Sequence, residues 1–202
     1  MNRGRLIAFE GLDGCGKTTQ IARLAESLQK AGHDPLVTSE PTHGEYGRRI
    51  RAMAHDGAPP VAPEEELRWF VEDRREHVSG SIAPSLAAGR HVLSDRYFLS
   101  TVAYQGARGL DPMRILAQSE AEFPIPDLVL LLELDVETAL ARVHARGARV
   151  EGIFEARDRL ERVARIFASI QRPYLERIDA SGNPEAVAAA IAERVRERLS
   201  LP

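Results

Sequence analysis

The chain has 202 residues, of which 44% are hydrophobic, and a formal net charge of −3. This length allows one large α/β domain with a substantial core, and the slightly acidic balance argues against bulk binding of nucleic acid. The single cysteine, Cys15, excludes a disulfide framework, and no apolar run approaches the roughly 18 residues of a membrane span, so we expect a cytoplasmic protein without membrane attachment.

A phosphate-binding loop is predicted near the start of the chain. Residues 11–18 (GLDGCGKT) fit the pattern G-x-x-x-x-G-K-[ST] at every fixed position. The apolar run Leu6–Phe9 before it predicts a buried strand, and apolar residues at helical spacing after it predict a helix from Lys17 to about Lys30. Such loops wrap backbone N–H groups around phosphate oxygens at a helix N-terminus. We expect Lys17 to reach the β- and γ-phosphates of a nucleoside triphosphate and the Thr18 hydroxyl to bind Mg²⁺.

The nucleotide-binding residues expected from this loop are Gly11, Leu12, Asp13, Gly14, Cys15, Gly16, Lys17, Thr18 and Thr19. Cys15 has two interpretations. A helix N-terminus lowers the pKa of a thiol and would activate a nucleophile, whereas a small filler side chain suits the loop equally well.

Short strands and helices alternate through the first half of the chain. The pattern predicts a strand at 35–38, a helical stretch around 48–51, a long helix opening at 64–66 and a further helix over 82–88. The Pro- and Gly-rich stretch 57–63 is too short to divide domains.

A third strand, His91–Ser94, delivers the run Asp95-Arg96-Tyr97 at its carboxyl end. Ligands of open parallel sheets bind outside the carboxyl ends of the strands. We therefore expect Asp95 and Arg96 to lie beside the phosphate loop.

The second half continues the alternation. The pattern predicts helices over 100–105, 111–122 and 136–146, a central strand at 128–132, a long helix ending near 176, a weak strand at 177–180 and a terminal helix over 184–199. The fold class expected is α/β, a five-stranded parallel sheet flanked by helices, in one domain spanning 1–202. An arginine-rich segment at about 142–159 is expected to form a short lid.

Several classes of nucleotide-binding protein are excluded by what the sequence lacks. A GTPase needs a guanine-reading N-K-x-D sequence, which is absent, and the chain is too short for a motor ATPase. A small kinase needs an acceptor site and a source of positive charge near the transferred phosphoryl group. The Asp95-Arg96 pair and the lid segment 142–159 suit these two needs.

The sequence resembles thymidylate kinases over nearly its whole length. The matching pieces are 9–14 and 16–20, Glu40-Pro41, Phe70 with Asp73-Arg74 and His77-Val78, Asp95-Arg96-Tyr97 with Ser100 and 103–106, 126–128, and 158–161 leading to Tyr174-Leu175. The resemblance implies a P-loop nucleoside monophosphate kinase fold, transfer of phosphate from Mg-ATP to dTMP, and a homodimer.

The resemblance also assigns residues to the acceptor. It implies that Phe70 stacks on thymine, Arg74 donates to thymine O4 and Gln105 lies near the base. Tyr104 would crowd a ribose 2′-OH and so favour deoxyribose. Further assignments concern the phosphate and sugar: Arg96 and Arg51 would hold the acceptor phosphate, Asp95 would lie near that phosphate and Mg²⁺, and Asp13 would contact the sugar hydroxyl and help to place the phosphate.

Some members of the family carry a catalytic arginine in the phosphate loop, at the position that is Gly14 here. The resemblance then implies that the lid supplies it, as in the bacterial type. Arg149 and Arg146 rank first, ahead of Arg157 and Arg159, and Arg159 has an alternative part in anchoring the lid.

One difference from the family pattern leaves other phosphoryl acceptors possible. Ser39 stands where the family commonly has arginine, and Arg48, Arg49 or Arg51 would have to compensate. The alternatives are a related kinase for another pyrimidine (deoxy)nucleotide or a nucleoside, and a nucleotide-binding regulator without turnover.

Overall fold

The computed structural model describes residues 3–55, 61–145 and 153–201. Its strands are β1 (Leu6–Gly11), β2 (Leu36–Ser39), β3 (Val92–Asp95), β4 (Leu128–Glu133) and β5 (Leu175–Asp179). Its helices are α1 (Lys17–Lys30), α2 (Glu45–His55), α3 (Pro63–His77), α4 (Ala83–Ala87), α5 (Phe98–Gly106), α6 (Pro112–Glu122), α7 (Val136–Ala145), α8 (Ile153–Ser169) and α9 (Pro184–Leu199). A short π-helical turn, Val78–Ile82, joins α3 to α4.

The five strands form one parallel sheet in the order β2-β3-β1-β4-β5. All of β1 is buried, as is β4 up to Leu132. Continuous burial is expected of central parallel strands, because crossover helices cover both faces. The α/β fold expected from the alternation of elements is confirmed.

The core lies in two layers, one on each face of the sheet. Side chains alternate along β1, so that Leu6 and Ala8 enter one apolar cluster while Ile7 and Phe9 enter the other. Helices α5, α6 and α8 contribute to the first cluster, and α1 and α9 contribute to the second. The sheet is thereby held rigid, and the loops at its carboxyl edge have a fixed support.

Most predicted boundaries agree with the structure to within a few residues, and those of α1 and α9 agree fully. The predicted end of α8 is wrong: the helix ends at Ser169, not near Glu176, and β5 begins at Leu175. Pro173 explains the difference, because a proline within a helix lacks the N–H donor and collides with the preceding turn.

The register of the sheet brings three loops together at the carboxyl edge. Asp95 at the end of β3 pairs with Ser39 of β2 on one side and with Phe9 of β1 on the other. The segments that follow these three strands therefore meet at one place. Among the described residues, no helix has the length and apolar character needed to cross a membrane.

Candidate active site

The loop between β1 and α1 has the backbone of an anion-binding turn. Gly11, Gly14 and Gly16 all have positive φ, and no side chain caps the first turn of α1. The first N–H groups of α1 thus remain available to an anion, which the helix dipole also favours.

Gly14 admits no side chain at all. A Cβ built there would lie 2.4 Å from the backbone oxygen of Ala139 in α7. The loop is therefore pressed against α7.

Lys17 is buried at the base of this loop. Its Nζ donates to the carbonyl oxygens of Gly11 at 3.2 Å and Leu12 at 3.0 Å. Burial, and then the nearby charge of Arg96, lower the pKa of Lys17 below its ordinary value. The ammonium group is thus held within the phosphate loop, where the motif requires it.

Thr18 and Asp95 meet across the sheet edge. The Thr18 hydroxyl donates to Asp95 Oδ2 at 2.8 Å. A hydroxyl and a carboxylate are oxygen ligands that suit Mg²⁺, which is commonly bound by one or two carboxylates together with substrate phosphates. Among the described residues no group of three or more His, Cys, Asp or Glu side chains forms a metal cage. This pair therefore fits a cation that arrives with a nucleotide.

Arg96 follows β3 directly and lies among several acceptors. Its guanidinium donates to Asp13 Oδ1 at 2.6 Å, Ser100 Oγ at 2.7 Å and the Gly11 carbonyl at 3.3 Å, and it lies over the Tyr104 ring. Burial alone would raise the pKa of Asp13, but the charges of Arg96 and Lys17 hold it below its ordinary value. Asp13 is thus a carboxylate, and its side chain is 65% exposed.

A polar cleft of about 310 Å³ opens between these groups. It is lined by Asp13, Gly14, Gly16, Lys17, Thr18, Thr19, Ser39, Glu40, Pro41, Arg51, Asp95 and Arg96. Arg51 of α2 donates to the carbonyl oxygens of Pro41 and, at 3.4 Å, Thr42. It thereby puts a cation on the wall that Ser39 leaves uncharged.

Arg74 of α3 is buried in a different way. Its Nε and Nη2 donate to Glu40 Oε2 at 2.9 and 2.6 Å, and Nη2 also donates to Thr101 Oγ1 at 2.9 Å. The guanidinium lies over the rings of Tyr97 and Phe123. Its Nη1 is buried and has no hydrogen-bond partner among the described residues.

Gln105 of α5 presents the complementary group. Its Oε1 is also buried, and it has no hydrogen-bond partner within the described part of the chain. Gln105 lies one turn beyond Thr101, the residue that accepts from Arg74, and Phe70 lies one turn before Arg74 on α3. Residues four apart share a helix face, so Phe70 and Gln105 belong to the two faces that meet at Arg74.

Phe70, which the resemblance places on thymine, is next to Trp69 on α3. The structure leaves both half-buried. Trp69 Nε1 donates to Glu65 Oε1 at 2.8 Å on the same helix.

The sequence predicts no specific role for two glutamates that are buried in the structure, Glu40 and Glu10. Glu40 accepts from Arg74 and contacts His77 Nδ1 at 3.0 Å, and His77 Nε2 contacts Thr38 Oγ1 at 2.7 Å. Glu10, the second, is fully buried in β1, and this burial raises its pKa to about 7. A charged residue within an apolar strand is the sequence signal that could have marked Glu10 as functionally important. His77 has the structural hydrogen bonds expected of a histidine without an acid–base part.

The arginines of the lid segment divide into three groups. Arg146 and Arg149 lie outside the described residues. Arg157 is exposed and pairs with Glu137 and Glu161, each at 3.0 Å. Arg159 is exposed and close enough to Asp13 for its charge to help lower the pKa of that carboxyl.

A second cavity, of about 440 Å³, lies on the other side of the phosphate loop. It is lined by Cys15, Thr19, Gln20, Arg142, Val187 and residues 180–184. Arg142 Nη1 donates to the Ala180 carbonyl at 3.4 Å across it. The phosphate loop therefore borders two cavities.

Comparison with known proteins gives a consistent result. A family model described as thymidylate kinase matches residues 9–191. A protein named thymidylate kinase from Akkermansia muciniphila is 46% identical over 199 residues, covering 98% of this chain and 93% of that protein. Thymidylate kinases from Desulfotalea psychrophila (44% over 200 residues; 99% and 98% covered) and Xanthomonas campestris (45% over 201 residues; 96% and 87% covered) are similar to a comparable degree.

Proposed function

This chain belongs to the thymidylate kinase family, and from that premise we propose that it transfers the γ-phosphoryl group of Mg-ATP to dTMP. The products are ADP and dTDP, a step of dTTP synthesis. An oxygen of the dTMP phosphate attacks the γ-phosphorus, and the bond from that phosphorus to the β,γ-bridging oxygen breaks. Such transfers depend on positioning and on cations near the equatorial oxygens, and need little acid–base chemistry.

The observation that carries the proposal is the pair of buried, unpartnered groups on α3 and α5. Arg74 Nη1 is a donor and Gln105 Oε1 is an acceptor. Thymine and uracil present an acceptor, O4, beside a donor, N3–H, whereas cytosine presents the reverse. A buried group left unpaired by the wrong base is costly, so this pair favours thymine or uracil strongly over cytosine.

The donor nucleotide is proposed to lie across the phosphate loop. Its β- and γ-phosphates would meet Lys17 and the N–H groups that open α1, with residues 11–19 around them. The 440 Å³ cavity beside Thr19 and Arg142 is of a size to take its base.

Mg²⁺ is proposed to bind between Thr18 and Asp95, which already touch. Thr18 and Asp95 would hold the ion, which would supply positive charge to offset the negative charge that develops on the transferred phosphoryl group. Asp95 would help to place the ion on this side of the cleft. Lys17 would hold the γ-phosphate from the opposite side.

The acceptor phosphate is proposed to bind Arg96 and Arg51 in the polar cleft. Arginine suits this task because its planar fork donates to two phosphate oxygens at once. Asp13 holds the Arg96 fork from the solvent side and is proposed to contact the sugar hydroxyl. The Tyr104 hydroxyl, 3.4 Å from Arg96 Nη2, is proposed to crowd a ribose 2′-OH.

The catalytic arginine is proposed to come from the lid at 142–159, with Arg149 and Arg146 ranked first. The contact between Gly14 and α7 supports this, because the loop position has no room for an arginine. The whole chain is proposed to be one kinase domain that pairs as a homodimer in the cytoplasm. The single free cysteine, buried in the loop, suits a reducing compartment.

An ADP-release assay across acceptors tests the function. With Mg-ATP we expect dTMP to lead, dUMP to follow about 10- to 200-fold lower for lack of one methyl group, and dCMP to fall by about 10⁴-fold. UMP, AMP and thymidine serve as further acceptors. If dCMP leads, the thymine assignment fails; if thymidine leads, the assignment of a monophosphate acceptor fails; if none turns over while ATP still binds, the kinase assignment fails.

Lys17→Ala is the matched inactive control. It should abolish turnover while thermal unfolding stays near that of the wild type. Unchanged activity would refute the assignment of the phosphate loop.

A further inference from the structure

Glu10 is a buried carboxylate for which the proposed phosphoryl transfer has no direct use. It lies in β1, one residue before the phosphate loop, with no exposed surface. A buried carboxylate is retained only where hydrogen bonds compensate for the lost hydration. Its partners therefore indicate what it does.

Glu10 caps helix α5 from a distant strand. The N-cap residue Tyr97 makes no side-chain cap. Glu10 Oε1 instead accepts from the N–H groups of Tyr97 at 2.9 Å and Ser100 at 3.1 Å. These are the two donors that a capping box satisfies with two local side chains. One carboxylate oxygen of β1 thus fixes the start of α5.

The other oxygen of Glu10 controls the hydroxyl of Ser100. Ser100 Oγ donates to Glu10 Oε2 at 2.5 Å and accepts from Arg96 Nη1 at 2.7 Å. A serine hydroxyl has one hydrogen. When Glu10 is ionised it takes that hydrogen, so that an oxygen lone pair of Ser100 faces Arg96.

The backbone of Arg96 depends on the same strand. Its φ is 72°, a left-handed conformation that is unfavourable for an arginine and that the surrounding structure must hold. The Arg96 N–H donates to the carbonyl of Phe9, next to Glu10, at 2.9 Å, and Ser94 Oγ donates to the Arg96 carbonyl at 2.7 Å. Neighbouring residues of β1 therefore hold both the main chain and the side chain of Arg96.

We propose that Glu10 is a positioning residue for the acceptor phosphate, acting through Ser100 to fix the guanidinium of Arg96. The proposal rests on the proposed function only in that Arg96 binds a phosphate monoester. It does not depend on which base the acceptor carries.

Glu10→Gln and Ser100→Ala test the relay. The glutamine oxygen still accepts from the backbone N–H groups of Tyr97 and Ser100. Its NH₂ group, however, donates to Ser100 Oγ, so the Ser100 hydroxyl can no longer donate at that position. Ser100→Ala removes the hydroxyl and leaves the backbone cap in place. Ser119→Ala, a buried serine of α6 outside the relay, is the matched control.

We expect each relay variant to raise the KM for dTMP about 10- to 150-fold, the worth of one hydrogen bond to a charged group. The KM for ATP should change less than about twofold, and Ser119→Ala should change neither. Because both residues act through one chain of hydrogen bonds, the double variant should be little worse than Ser100→Ala alone.

Three outcomes would overturn the proposal: an unchanged KM for dTMP in both variants, equal changes in both KM values, or additive effects in the double variant. If Glu10→Gln does not fold, Ser100→Ala carries the test alone through its two KM values. A wild-type protein that phosphorylates another monophosphate refutes the proposed function and not this one, and the same variants are then measured with that acceptor.

Discussion

Arg96 and Arg74 are two of the three arginines assigned to the acceptor, and their charges are compensated differently. Arg74 pairs with Glu40 in a site where the two side chains are 1% and 3% exposed. Arg96 pairs with Asp13, whose side chain is 65% exposed. Arg96 also contacts the hydroxyls of Ser100 and Tyr104, the Gly11 carbonyl and the Tyr104 ring.

The difference follows from the ligands proposed for each. A base edge is neutral, so an arginine that meets it must have its charge balanced by the protein, or the buried charge would be too costly. A phosphate is itself negatively charged. The arginine that binds it therefore needs only an exposed carboxylate partner, which the phosphate can replace. In this proposal the carboxylate that pairs directly with the arginine is buried where the ligand is neutral and exposed where the ligand is an anion.

The largest effect expected is on activity at Arg96. Arg96→Met should lower kcat/KM for dTMP by about 10³-fold, because the acceptor phosphate loses its main cation. Thermal unfolding should change little, since Asp13 regains water when its partner is lost. A large loss of stability together with intact activity would reverse the assignment of the two arginines.

Arg74→Met should show the opposite balance. It removes the arginine partner of buried Glu40, which keeps its contact with His77 Nδ1, and this costs about 3–5 kcal/mol in the free energy of unfolding. The free energy is measured by urea denaturation. The matched control is Glu40→Gln in the same background, which should recover part of the loss; no recovery would mean that the ion pair is not the cause.

The pH dependence of stability tests the ionisation of Glu10, the carboxylate that is linked to Arg96 through Ser100. Its pKa is raised by burial from 4.5 to about 7, so between these values the folded chain holds a proton that the unfolded chain has released. Its contribution to stability is therefore complete below pH 4.5 and is lost as the pH rises through about 7. The charged group that opposes this shift is Arg96.

Relative to Glu10→Gln, the wild type should lose roughly 2–3 kcal/mol of unfolding free energy between pH 5 and 8. Urea denaturation at both pH values gives the difference. A constant difference would show that Glu10 does not titrate in this range.

The smallest effect expected is on stability at Asp13. Asp13→Asn should cost less than about 1 kcal/mol of unfolding free energy, as expected of an exposed ion pair. The same kind of substitution at the buried partner of Arg74, Glu40→Gln, should cost several times more. Equal costs would remove the contrast between the two arginines.

The sequence predicts the sheet and the phosphate loop well because both depend on local patterns. Apolar runs and helical spacing are sufficient for β1, β4 and α1, and the loop has fixed glycines. The end of α8 was misplaced because the helical spacing was allowed to outweigh Pro173. A helix predicted from apolar spacing should therefore end before a proline such as Pro173.

The arrangement around the arginines was less accessible from the sequence. Glu40 and Arg74 are 34 positions apart, and Glu10 and Ser100 are 90 apart. Such pairs depend on how strands and helices are ordered in space, which no spacing rule gives. The assignments of Arg74 and Gln105 came from the family resemblance, and the unpartnered atoms that support them are visible only in three dimensions.

Trp69, the sole tryptophan, gives the molecule a built-in fluorophore. Its indole is half-buried on α3 beside Phe70, and its N–H is held by Glu65. Indole emission responds to nearby polarity and to changes in such hydrogen bonds. Excitation of this one ring should therefore report occupancy of the neighbouring base site in real time, without a label and without turnover.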